Sequence, residues 1–172
     1  MINIYGKTFD IKTTTKIIIS NLNLNFLSIK LKLFINLTFL DCSSNDIDKL
    51  DNLPFTLQIL DCSNNNITNL DNLPQNLKIL DCSHNNITNL DNLPQNLQCL
   101  NCSYNDIEIL DNLPPNLKIL DCFFNYINSL CNLPLNIQNL NCNDNDIIYR
   151  YNLPPYCQKI ILHNELIEIQ SP

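Results

Sequence analysis

The sequence predicts a β-rich solenoid of about eight stacked 20-residue coils, with a parallel sheet on its concave face and a hairpin over its N-terminal end. Three observations carry this. Segment 57–76, "LQILDCSNNNITNLDNLPQN", is followed by 77–96, "LKILDCSHNNITNLDNLPQN", with two differences in twenty positions. The same frame starts at Leu37, Leu57, Leu77, Leu97, Leu117 and Ile137, six copies without an insertion. The copies alternate apolar and polar residues from column four to column seven, with Phe123 the one exception, the period of a strand with one buried face.

Counting from that first Leu or Ile, column four is Leu (Leu40 to Leu140) and column six is Cys (Cys42, Cys62, Cys82, Cys102, Cys122 and Cys142). Column nine is Asn throughout, from Asn45 to Asn145, and column eleven is Ile, from Ile47 to Ile147. Equivalent strands of successive coils should lie about 4.8 Å apart. The column-nine Asn has a backbone task, because groups leaving the strand ladder need partners and an amide supplies both a donor and acceptors. "NLP", as in Asn72-Leu73-Pro74, closes each coil. Twenty residues leave too little chain for a convex-side helix plus its turns, and Pro disfavours helix before it. The convex side is therefore expected to be extended, polyproline-like or a single 3₁₀ turn.

The pattern LxxLxCxxNxIxxL followed by xNLPxx resembles the leucine-rich-repeat family. It is most similar to the short, 20-residue class found in secreted effectors of enteric bacteria. The resemblance covers residues 37–156 firmly and 17–36 and 157–169 loosely. It implies the solenoid and a protein-binding role, since such effectors bind host proteins. The Asn-, Ile- and Lys-heavy composition is also similar to repeat proteins of large DNA viruses of amoebae. On these likenesses a host-interaction factor of a virus or pathogen is the expectation.

At 172 residues the chain reads as a hairpin cap over 1–16, a solenoid over 17–169 with worn coils at 17–36 and 157–169, and a short tail at 170–172. In the worn first coil the 20-residue frame puts Ser20, Leu22, Asn25 and Leu27 in columns four, six, nine and eleven. The cap is expected around the single glycine, Gly6, where Ile2, Ile4, Phe9 and Ile11 flank the turn. The last coil keeps Ile160, Leu162 and Ile167 in frame, with Glu165 where Asn belongs. Its apolar Ile160–Leu162 run reads as a terminal edge strand, and bare edges invite pairing. A homodimer through that C-terminal edge is one expectation.

The net charge is −7. Residues 1–36 carry five Lys against Asp10, a balance of +4, while residues 37–172 carry four Lys and Arg150 against sixteen acids, a balance of −11. Phosphate backbones need clustered cations, so nucleic acid is not the expected partner. No stretch is long and apolar enough to span a bilayer, and no secretion signal is visible; the expected setting is intracellular. Of nine cysteines, six fill column six and Cys157 a core column, so they read as small apolar side chains rather than disulfide or zinc ligands. No cofactor or metal is expected.

Binding residues are expected on the exposed strand columns. Column three is mostly apolar, with Phe39, Ile59, Ile79, Cys99 and Ile119, and ends in Asn139. Column five carries Asp41, Asp61, Asp81 and Asp121, a row of like charges for which no backbone need is evident. Column eight varies most (Ser44, Asn64, His84, Tyr104, Phe124, Asp144), and Phe123 joins Phe124 where Ser and Asn give way to aromatics. An acidic row beside an apolar row suits a basic, amphipathic segment of a protein partner. Asp51, Asp71, Asp91 and Asp111 are expected to serve turns locally by accepting backbone hydrogen bonds. Catalysis has little support: His84 and Cys99 share a face with no third group to orient them. The alternative to a recognition scaffold is a structural protein that assembles through its ends.

Overall fold

A computed structural model describes residues 1–148, 153–162 and 165–168 of the chain. His163, Asn164 and the tail at 170–172 lie outside the described residues. The hairpin consists of β1 (Ile2–Ile4) and β2 (Lys7–Phe9), antiparallel with Ile2 opposite Phe9. Tyr5 and Gly6 turn it with φ of 49° and 79°, the paired positive φ that twists a two-residue hairpin correctly. The hairpin is fastened to the first coil by Phe9, edge-on to Phe34 at 6.1 Å, and by the Tyr5 hydroxyl. That hydroxyl accepts from the Ser28 N–H at 2.6 Å and donates to the Phe26 carbonyl at 2.9 Å.

The second sheet runs along the whole solenoid. It contains β3 (Lys16–Ile18), β4 (Phe39–Asp41), β5 (Ile59–Asp61), β6 (Ile79–Asp81), β7 (Cys99–Asn101), β8 (Ile119–Asp121), β9 (Asn139–Asn141), β10 (Lys159–Leu162) and β11 (Glu165–Glu168). The first eight are parallel, one per coil, and neighbours in space are neighbours in sequence. The strand proper spans columns three to five. Column four points inward, so Leu40, Leu60 and Leu80 align and are buried, while columns three and five face out. Six apolar residues fill the interior in each of the five repeats from Leu37 to Asn136; in one coil they are Leu77, Leu80, Cys82, Ile87, Leu90 and Leu93. The convex side is extended, with turns such as Leu57 N–H to the Pro54 carbonyl at 3.2 Å. A 3₁₀ helix occurs at Ile29–Leu33.

The column-nine asparagines form the ladder their chemistry allows. The Asn85 amide donates to the Cys62, Cys82 and Ser83 carbonyls at 3.1, 3.0 and 3.1 Å, and its Oδ1 accepts the Ile67 N–H at 2.9 Å. Asn65 and Asn105 repeat the pattern one coil away on either side. Cysteine fills column six as a small, fully buried side chain. Its thiol also donates across coils, Cys42 Sγ to the Asp61 carbonyl at 3.4 Å and Cys62 Sγ to the Asp81 carbonyl at 3.3 Å.

Both ends depart from the 20-residue frame. In the first coil Ile17, not Ser20, pairs with Leu40, and Ile19 is buried in the column-six place assigned to Leu22. Leu24 takes column eleven, its N–H bonding Asn45 Oδ1 at 3.0 Å; Asn25 is exposed. This coil has 23 residues, and its extra length lies where the 3₁₀ helix replaces the usual turn. At the other end the chain does not complete an eighth coil. It doubles back, and β11 pairs antiparallel with β10, Ile161 opposite Leu166. The backbone edge of β10 is therefore paired within the chain, and β11 takes its place as the terminal edge strand.

Candidate concave recognition surface

The outward columns form a trough with distinct flanks. Its floor is the column-three row: Phe39 and Ile59 are half-buried, and Ile79 and Ile119 are 41% and 42% exposed. Register places them in line with Cys99 between Ile79 and Ile119. At the N-terminal end the Lys16 ammonium sits over the Phe39 ring, 4.3 Å from its centre. The apolar row of the sequence thus begins with a cation that sequence reasoning did not place there.

Asp41, Asp61, Asp81 and Asp121 occupy column five, half-buried, as expected. The structure corrects the reading that nothing local calls for them. Asp61 Oδ1 accepts the Ser63 N–H at 3.1 Å and the Ser63 hydroxyl at 2.7 Å. Asp41 with Ser43 and Asp81 with Ser83 do the same, and Asp121 accepts the Phe123 N–H at 3.1 Å. These are Asx turns that fold the chain off the strand. The like-charge row is also interrupted: the Asn101 amide donates to Asp81 at 3.0 Å and the Asn141 amide to Asp121 at 3.1 Å. Asp41, Asp61 and Asp81 remain as three consecutive acids. The second acidic row is tied between coils rather than to its own turn: Asp71 and Asp111 accept the Asn92 and Asn132 side-chain amides at 3.0 and 2.6 Å.

The far flank is aromatic. His84 stacks on Tyr104 with ring centres 4.1 Å apart, and Tyr104 stacks on Phe124 at 5.0 Å. Phe123 meets Tyr104 edge-on at 5.1 Å. The structure thus brings His84, Tyr104, Phe123 and Phe124 into one ladder across three coils, with Tyr104 38% and Phe124 54% exposed. Phe39, Asp41, Ile59 and Asp61 lie in the two coils that precede it.

Column eight has a property the sequence does not display. All six residues have positive φ: Ser44, Asn64, His84, Tyr104, Phe124 and Asp144, between 50° and 53°. Left-handed backbone suits Asn or Asp and costs a bulky residue about 1 kcal/mol. Tyr104 and Phe124 therefore occupy positions poorly suited to them, while His84 is of a type that tolerates one. Such local conflicts concentrate at functional sites.

Thiol chemistry divides the cysteines. Burial pushes the Cys42, Cys62, Cys82, Cys102 and Cys122 thiols well above their ordinary range, with neighbouring Asp side chains or thiols adding to the rise. Burial also raises Cys99, and the Lys118 ammonium pulls it partly back. Among the described residues no group of three or more His, Cys, Asp or Glu side chains is placed to hold a metal ion. No helix among them is long and apolar enough to cross a membrane.

No protein-family profile and no curated protein matches the chain. Solved structures do. YopM from Yersinia enterocolitica aligns with a TM-score of 0.69 and 41% identity, over 74% of this chain and 28% of that one. A Shigella effector leucine-rich-repeat domain aligns at 0.64 and 28% identity, over 80% of this chain and 71% of that one. An internalin from Listeria monocytogenes, InlF, shares the fold at 0.68 with 21% identity, over 83% of this chain and 45% of that one. The chain spans less than a third of the YopM structure it matches. Six in-register copies of the motif, the parallel one-strand-per-coil sheet and these neighbours together show that the chain belongs to the leucine-rich-repeat proteins, with a repeat of 20 residues.

Proposed function

We propose that the chain is a recognition scaffold that captures a protein through its concave trough, and that it does so by binding rather than by catalysis. The observation that carries this is the His84–Tyr104–Phe124 ladder, three rings held at left-handed positions and half open to solvent. Clustered exposed aromatics anchor interfaces because they bury much apolar area with few rotors to freeze. The apolar floor from Phe39 through Ile59, Ile79 and Cys99 extends the contact. The three consecutive acids Asp41, Asp61 and Asp81 favour a basic segment lying along it. Likeness to YopM and to a Shigella effector domain supports a host-directed factor of a pathogen or virus, acting inside a cell.

The test is paired capture from host-cell lysate with the wild type and a Phe123→Ser, Phe124→Ser, Asp121→Asn variant. Recovery of a protein by the wild type alone, with the variant folded by circular dichroism, supports the trough. Equal recovery by both would sink it and move attention to the ends of the solenoid.

A further inference from the structure

A second surface lies on the flank that leads into the strands, opposite the aromatic ladder. Columns twenty and two there form three hollows that run into one another. The central hollow, about 440 Å³, is lined by Asn76, Lys78, Asn96, Gln98, Asn116, Lys118 and Asn136. The N-terminal hollow shares Asn76 and Lys78 with it, and the C-terminal one shares Lys118 and Asn136. No carboxylate is among the residues that line the three. That is notable in a solenoid with a balance of −11, where Lys78 and Lys118 are two of only four lysines after residue 36.

The asparagines are committed to the fold: the Asn76, Asn96, Asn116 and Asn136 amides each donate to a carbonyl of the preceding coil, at 2.8 to 3.2 Å. Column two begins with Thr38, whose hydroxyl bonds the Thr15 carbonyl at 3.3 Å, and then reads Gln58, Lys78, Gln98, Lys118, Gln138 and Gln158. The two lysines therefore recur every second coil, about 10 Å apart at the usual strand spacing. An extended strand repeats a face about every 6.7 Å and cannot match that interval. A polyproline II helix has three residues per turn and a rise of about 3.1 Å, so it repeats a face about every 9.3 Å. Its backbone carbonyls are unpaired and can accept from the intervening glutamine amides. At the C-terminal end Pro155 and Tyr156, the latter 66% exposed, offer a flat surface of the kind on which proline rings dock.

The geometry points to this flank as a docking groove for an acidic polyproline II segment of a partner protein, with Asp or Glu at every third residue facing Lys78 and Lys118. It is independent of the trough: the acids of column five would repel such a ligand and confine it to the flank.

The probe is a fluorescent peptide of five Glu-Pro-Pro repeats, followed by anisotropy with the full chain at low and high salt. Binding should weaken with salt, about threefold with Lys78→Gln or Lys118→Gln and roughly tenfold with both, the scale of exposed ion pairs. Gln already fills the column at Gln58, Gln98 and Gln138, so these variants should fold, and circular dichroism checks that they do. A Glu-Pro alternating peptide with the same number of acids should bind more weakly, because its charges spiral off one face. Equal binding by the double variant, or by the alternating peptide, would overturn the groove. Tighter binding of a sulfated oligosaccharide than of the Glu-Pro-Pro peptide would overturn the choice of a peptide ligand.

Discussion

Removing one rung of the asparagine ladder, Asn85→Ala, tests how the interior is held together. The Asn85 side chain makes four hydrogen bonds, but the groups it serves differ in what they keep. The Cys62 carbonyl retains the Asn65 amide, the Cys82 carbonyl retains the Asn105 amide, and the Ser83 carbonyl retains the Asn64 N–H. Ile67 N–H, bonded to Asn85 Oδ1, is the donor left without that partner in the interior. An orphaned buried donor costs about 1–3 kcal/mol, and each lost but substitutable bond about 0.5–1 kcal/mol. The expected loss is about 3 kcal/mol, with a small cavity included. Asn85→Asp should be worse, although it keeps an acceptor for Ile67. It places a carboxylate against the Cys62, Cys82 and Ser83 carbonyls, where a charge is costly to bury. The assay is urea unfolding followed by circular dichroism, with a constant slope required before the free energies are compared. A loss below 1 kcal/mol for Asn85→Ala, or an Asn85→Asp variant as stable as wild type, would refute the ladder as an energetic element.

Three further outcomes follow from the same structure. Phe124→Asn should leave stability within about 1 kcal/mol of wild type, because relief of left-handed strain offsets the lost stacking on Tyr104, yet it should abolish partner capture; a large loss of stability would make the ladder structural. Stability should fall at alkaline pH. The buried thiols have folded pKa values raised above the unfolded value near 8.5, so their contribution is full below that pH and is lost as pH rises, by about 1.4 kcal/mol per unit for each thiol; urea midpoints unchanged between pH 7.5 and 9.5 would contradict this. Tyr5→Phe should lower the melting temperature by a few degrees, since it removes the hydroxyl that joins the hairpin to Ser28 and Phe26; an unchanged melting curve would show that the cap docks without it.

The interior was legible because a solenoid repeats its solution. Six copies of Leu, Cys, Asn and Ile in fixed columns identify which side chains stack, and the structure places each of them so. The ends were not legible, since a frame of twenty was imposed where the chain obeys something else. Lys16-Ile17-Ile18-Ile19 alternates as a strand in its own right, and Ile17 and Ile19 are both buried, three residues ahead of that frame. At the C-terminus nothing in the spacing of Ile160 and Leu162 announces that the chain reverses into β11. The site was half legible. Residue types showed the aromatic break at Tyr104, Phe123 and Phe124, but backbone dihedrals are not written in residue types, so the strain in column eight was hidden. The local role of the Asp row depends on the Ser two residues on, a pairing that column-by-column residue types do not display.

The central claim is that a partner protein lies in the concave trough, and the chain carries two thiols that can report it. Cys99 lies on the trough floor between Ile79 and Ile119, and Cys131 is exposed on the margin away from the strands. Alkylation rates of both, measured with and without the captured partner, test the claim most directly. Slowing of Cys99 with Cys131 unchanged is the result expected. Protection of Cys131 alone, or of neither, would contradict the assignment of the trough as the binding face.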